Sequence, residues 1–212
     1  VTTWAILLAE LREDLQDTSS NPAYSDKILW LYTRDAVRDY STYFPKRVDA
    51  LEIEPADGRY ALPADYIEEI FVECPRGSYL TPRAIVPGIK KVTGTTPYRY
   101  EIEGGGIYVD ASTDNSIWLT YYAYHTIPTS ETDVEAEVSV PVGDTELLRL
   151  YVRARIAAQI RLRTAKLDRY REDHRRDDNP MEVEFQSLMN EYHSKIMARQ
   201  QPTAIYLRTH RG

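Results

Sequence analysis

The chain has 212 residues, 26 basic and 33 acidic side chains and a formal net charge of −7; that length buries one good core but not two large ones, so one folding unit with a decorated insert is expected. The charge is unevenly placed, with 12 basic and 23 acidic residues over 1–143 (−11) against 14 and 10 over 144–212 (+4), a balance that argues against sequence-independent nucleic-acid binding and points to copies packing on one another or to a partner of unlike charge. Cys74 is the single cysteine, so no disulfide forms within these residues, and the apolar run 4–9 is too short for a membrane span; the expectation is a protein made in the cytosol, neither secreted nor inserted.

Residues 3–16 place Trp4, Leu7, Leu8, Leu11 and Leu15 at helical spacing, and the polar stretch 17–22 stops them. Ser25 is suited to cap a second helix, with Asp26 in its first turn opposing the positive end of the helix dipole. Ile28, Leu29, Tyr32, Ala36, Val37 and Tyr40 form its apolar side and Pro45 ends it, so a helical hairpin is predicted. From Val48 the period falls to two: 51–54, 59–62 and 66–73 read as strands, with a turn at Asp57-Gly58. Residues 98–110 read as a β-hairpin around Gly104, Gly105 and Gly106, which tolerate positive φ, and 116–124 as a long Tyr-rich strand. That strand carries apolar or aromatic groups on both faces, which predicts that both are covered, the second by a neighbouring subunit.

Residues 126–142, with Pro128 and Pro141, read as a connecting loop with one short edge strand. A long helix is predicted from 143 to about 175, and another opens at Asn179, with Pro180 in the first helical position and Glu182 closing a capping box. On the first of these, Leu147, Tyr151, Ala154, Ala158, Leu162 and Ala165 share one face and Leu148, Val152, Ile156, Ile160 and Leu167 a second, an arc too wide for a simple surface helix. Arg155, Arg163 and Lys166 interrupt it, so part of the arc is expected to meet another chain through charge-assisted contacts. The final segment, 200–212, has a breaker in Pro202 and then an apolar run flanked by Arg208, His210 and Arg211. It is more apolar than a frayed terminus requires, which favours docking onto a partner.

Catalytic readings find little support. The glycine run 104–106 lacks the Lys-Ser/Thr of a phosphate loop and sits between strands. His125, His174, His193 and His210 show no HExxH pairing and no spacing that puts two ligands on one face. No G-x-S-x-G elbow activates a serine, and Cys74, before Pro75 at a strand end, reads as a small apolar filler. Glu68-Glu69 and Glu172-Asp173 are adjacent pairs that local geometry points apart. The basic residues of the long helix scatter around it, which fits packing on acidic neighbours better than tracking a phosphate backbone. Seventeen tyrosines suit interfaces, although core use explains some of them equally well. Neither an enzyme nor a bound cofactor or metal is expected.

Residues 15–18 (LQDT), 24–47 (YSDKILWLYTRDAVRDYSTYFPKR) and 59–73 (RYALPADYIEEIFVE) together resemble the head-to-tail connector, or adaptor, proteins at the neck of tailed bacteriophages, with further support from 118–125 and 143–157. In this pattern Asp35 and Asp39 lie on one helical face, Pro45 ends the helix, and Leu62, Pro63 and Asp65 mark a strand entering a tight turn that Asp65 is able to cap. The resemblance implies a structural ring in the virion neck, commonly of twelve copies, assembled in the host cytoplasm. It implies a portal protein on one side, a tail or head-closure protein on the other, and DNA crossing the channel without sequence-specific binding. Ala204, Ile205, Tyr206, Leu207 and Arg208 are then the expected portal contact. Arg155, Arg163, Lys166, Tyr121 and Tyr122 are the expected subunit interface.

The expected fold is α+β: a helical bundle from an N-terminal helical hairpin and long C-terminal helices (1–46 and 143–199), an inserted, mostly antiparallel β domain (47–142) and a C-terminal arm (200–212). Two other functions stay open. A gatekeeper or tail-completion ring lower in the stack is told apart by which partner retains the chain, and a small hydrolase or nuclease by metal-dependent turnover.

Overall fold

The computed structural model describes residues 2–56, 59–82, 99–110, 115–168 and 180–200, with the side chains of 161–168 and 180–182 excepted. In chain order the elements are β1 (Thr2–Thr3), α1 (Trp4–Asp14), α2 (Asp26–Tyr43), β2 (Lys46–Ile53), β3 (Tyr60–Ala61), β4 (Tyr66–Glu73), β5 (Thr81–Pro82), β6 (Arg99–Glu103), β7 (Gly106–Val109), β8 (Ile117–Ala123), β9 (Glu137–Val138), a 3-10 turn (Val142–Asp144), α3 (Thr145–Asp168) and α4 (Pro180–Gln200). The class is mixed α+β. The chain divides into a helical unit, Val1–Tyr43 with His125–Gly212, and a β unit, Phe44–Tyr124.

In the helical unit, the Thr3 side chain accepts from the Ile6 N–H to cap α1, whose Trp4, Leu7 and Leu11 are buried. The helix closes by donating Gln16 N–H to the Glu13 carbonyl and Asp17 N–H to the Arg12 carbonyl, with Gln16 at φ 54°. This is the Schellman arrangement, which favours glycine at the left-handed position. Ser25 caps α2 through the Ile28 N–H. The buried face of α2 holds Leu29, Ala36, Val37 and Tyr40 as the periodicity predicts, and also Thr33 and Ser41. Those two hydroxyls donate to the carbonyls of Leu29 (2.8 Å) and Val37 (2.6 Å), so they enter the core with their polarity satisfied.

Segment 125–142 is expected from sequence in the β insert; the contact division groups it with the helices. β9 pairs antiparallel with β1, the indole N–H of Trp4 donates to the Glu131 carbonyl (3.1 Å) and that of Trp30 to the Pro128 carbonyl (3.0 Å). Two helices thus reach across to the loop with their largest side chains.

Over 145–157 the wide apolar arc of α3 requires a correction. Leu147, Leu148, Leu150, Val152, Ala154, Ile156 and Ala157 are all buried, because α3 packs on α4, α2 and α1 of its own chain. A helix with neighbours on several sides hides more than one stripe. Over 145–157 no second copy is needed to cover it.

The β unit consists of a three-stranded sheet ordered β2-β8-β4, all antiparallel, and a four-stranded sheet ordered β3-β7-β6-β5, in which only β5-β6 is parallel. One core joins them, built from Tyr60, Val72, Leu80, Tyr100, Ile107, Ile117, Leu119 and Tyr121 among others. The strand period decides the rest: Ile117, Leu119, Tyr121 and Ala123 of β8 enter this core, and Trp118, Thr120 and Tyr122 point to the other face. Gly104 and Gly105 take φ 55° and 77° in the β6-β7 turn. Gly106 serves differently: a Cβ there would collide with the Arg59 side chain. In β2, Ala50 (φ 49°) sits in a bulge, and its N–H donates to Thr120 Oγ1 (3.1 Å), which satisfies that buried hydroxyl.

Candidate functional site

Several ionisable side chains of the helical unit hold its elements together. Arg12, at the end of α1, donates to the Asp17 carboxylate (3.0 Å), the Tyr24 carbonyl (3.2 Å) and the Asp26 carboxylate. Asp17 is buried and accepts further from the backbone N–H groups of Ala23 (2.7 Å) and Tyr24 (3.1 Å). One arginine and one aspartate therefore lock the connection between α1 and α2. From sequence, Asp17 reads as a helix-stop residue only. An Asp followed by a short Ser/Asn/Pro loop is the available signal, since such a carboxylate commonly gathers loop amides.

Asp39 and Asp35 share a face of α2 but have different partners. Asp39 accepts from the hydroxyl of Tyr192 on α4 (2.6 Å), and Asp35 lies 3.9 Å from Arg34. Tyr192 is fully buried, and burial, then the Asp39 hydrogen bond, drives its phenol far above the ordinary range. Tyr40 donates to Asp144, which also pairs with Arg199 (2.7 Å), and its phenol is raised by burial and by that carboxylate. Pro45 stands between α2 and β2, as a helix terminator should.

A cleft of about 200 Å³ is lined by Asp14, Glu146, Arg149, Leu150, Arg153 and Glu191. Its charges neutralise one another: Arg149 lies 3.4 Å from Asp14 and 3.7 Å from Glu10, and Lys195 pairs with Glu146 and with Glu191 (2.9 Å). With Glu10 and Lys195 the cleft counts four acids against three bases, most of them already paired, so it presents a ligand with little net charge.

In the β unit, Leu62 and Pro63 are half-buried, and the turn after them closes by Tyr66 N–H donating to the Pro63 carbonyl (3.2 Å). Asp65 does not supply that turn's cap. Its carboxylate accepts from the Tyr121 hydroxyl (3.0 Å), and its carbonyl accepts from Tyr124 N–H (2.8 Å). Tyr121 is pushed up to about 12, first by burial and then by Asp65. Tyr66 stacks on Tyr121 (centroids 5.9 Å apart) and donates to Glu69 (2.5 Å).

The expectation that Tyr121 meets another subunit is therefore corrected: at 3% exposure its ring belongs to the chain's own core, on the inward side of β8. Tyr122, one residue on, is 36% exposed on the other side. Arg155 is exposed on α3, with its guanidinium 5.7 Å from the Tyr32 ring. Arg163 and Lys166 lie on α3, but their side chains fall outside the described residues, as do Ala204, Ile205, Tyr206, Leu207 and Arg208 altogether.

Among the described residues, no three His, Cys, Asp or Glu side chains gather as a metal site, and no helix is long and apolar enough to cross a membrane. Cys74 is buried, and burial raises its thiol, which disfavours the nucleophilic thiolate. His125 Nδ1 faces the Ser139 carbonyl (3.0 Å), and its ring meets Tyr40 edge-on.

Carboxylates bound to tyrosine hydroxyls, arginines and loop amides thus fix the positions of helices and strands. In the family comparison, the model described as SU10 adaptor protein matches residues 2–207. The chain belongs to this family of phage head-to-tail adaptors, and is thus a structural component of a virion. Comparison with curated proteins finds no match.

Proposed function

We propose that the chain is one subunit of a connector ring of about twelve copies in the phage neck, joining the portal to a tail or head-closure protein around the DNA channel. The observation that carries this reading is the family match across 2–207, almost the whole chain. The charge distribution supports it: residues 1–143 sum to −11, and a like-charged wall does not hold DNA as it passes. Residues 202–212 contain no acid and combine Ile205, Tyr206 and Leu207 with Arg208 and Arg211, a composition suited to an arm that docks by adding to a partner's surface. In this reading Ala204 to Arg208 contact the portal, and Arg155, Arg163, Lys166 and Tyr122 face neighbouring copies.

The test is the solution mass of the chain, by light scattering, alone and with the portal ring of the same virus. The expected result is a defined multimer on the portal. A chain that neither self-associates nor binds the portal refutes the reading. Truncation after Gln201 tests the arm separately: portal binding is expected to be lost, and unchanged binding removes the role given to 202–212.

A further inference from the structure

On the outward face of the β2-β8-β4 sheet, Arg47 stands opposite Tyr122 and is taken up by Asp49 (2.7 Å), and further acids and aromatic rings lie beside that pair. Strand register sets Glu52 of β2 opposite Trp118, and Glu68 of β4 opposite Tyr122, so these four side chains share that face. Both glutamates are exposed, and among the described residues neither has an ion-pair partner. Trp118 differs from the other two tryptophans. Trp4 and Trp30 donate their indole N–H groups to carbonyls, whereas among the described residues the half-buried Trp118 has no acceptor. A partly exposed indole ring beside acids without ion-pair partners is a surface suited to a cation, which the ring face and the carboxylates both attract.

The same chain carries the matching group. Arg155 is exposed on α3 and, among the described residues, forms no ion pair with a carboxylate; its guanidinium lies over the Tyr32 ring and its charge reaches Tyr151. A guanidinium is suited to stacking on an aromatic face and bonding a carboxylate at once. We infer that the Glu52, Glu68, Trp118 and Tyr122 face receives the Arg155 side of α3 from a second copy. Two unlike patches on one chain make a head-to-tail contact, the kind whose repetition builds a ring when the rotation from copy to copy closes on itself. The inference rests on the ring reading above and adds to it which surfaces meet.

The experiment uses full-length chains, a Glu52→Lys/Glu68→Lys variant and an Arg155→Glu variant, with assembly read by sedimentation at low and moderate salt. Because all three positions are exposed, unchanged circular dichroism and thermal midpoint establish that each variant folds. Each variant alone opposes like charges and is expected to assemble on the order of tenfold or more weakly than the natural chain. Mixed one to one, they restore assembly: the double variant offers its unaltered Arg155 to the intact acidic face of the Arg155→Glu chain, whose own new acid meets the lysines of the double variant. If the natural chain assembles while either variant alone does so equally well, or the mixture stays dispersed, this inference is wrong and the ring reading stands. A natural chain that remains single, with and without the portal, removes both.

Discussion

Replacing Asp17 by alanine tests whether the α1-α2 connection is held by the contacts described. Asp17 is 7% exposed, and its carboxylate accepts from Ala23 N–H (2.7 Å), Tyr24 N–H (3.1 Å) and Arg12 (3.0 Å). Removal strands two partly buried amides at about 1 to 3 kcal/mol each, and Arg12 loses one of its two carboxylates. Allowing for partial rehydration of the loop, roughly 3 kcal/mol of stability is expected to disappear. For a chain of this size that lowers the thermal midpoint by about 6 to 12 °C. Asp26→Ala is the control, since that carboxylate belongs to an aspartate about half exposed and an exposed pair contributes about 1 kcal/mol or less. Thermal and urea unfolding followed by circular dichroism measure both. If Asp17→Ala costs no more than Asp26→Ala, the connection does not depend on the buried carboxylate and the reasoning fails.

Leu148→Ala, at a fully buried position of α3, is expected to cost about 2 to 5 kcal/mol in the isolated monomer; a loss below about 1 kcal/mol would return α3 to the surface. Gln16→Gly relieves the positive φ at the end of α1 and is expected to raise stability by about 0.5 to 1 kcal/mol, seen as a higher urea midpoint; a lower midpoint contradicts the Schellman assignment. Tyr100 and Tyr121 are both raised to about 12 in the folded chain from 10.0. The unfolded state gives up these protons first, so their stabilising contribution is complete below pH 10 and falls as pH rises from 10 towards 12, by up to about 1.4 kcal/mol per pH unit for each tyrosine. Tyr121→Phe is expected to make that alkaline decline shallower in equilibrium unfolding, and an unchanged slope would show that Tyr121 titrates normally.

Much of the fold was legible in residue spacing. Trp4, Leu7 and Leu11 gave α1, Ser25 and Pro45 bracketed α2, Pro180 opened α4, and period-two patterning with the Gly104-Gly105 turn gave the β unit. Individual partners were not legible. Nothing local joins Asp39 to Tyr192, 153 residues away, or Tyr40 to Asp144, 104 away, and Asp65 looked like a turn cap because its tyrosine partner lies on another strand. The width of an apolar arc was misleading in the same way: a helical wheel shows how much surface must be covered, never by what.

The amino-acid order determined which segments become helices and which become strands, because caps, prolines, glycines and periodicity act within a few residues, although β2 begins at Lys46, five residues before the strand expected at 51–54. Tertiary structure alone decided that the apolar side chains of α3 over 145–157 are covered by their own chain and that Tyr121 turns inward as Tyr122 faces out. Burial depends on neighbours brought together from distant parts of the chain, and short-range pattern carries no record of which neighbours those are.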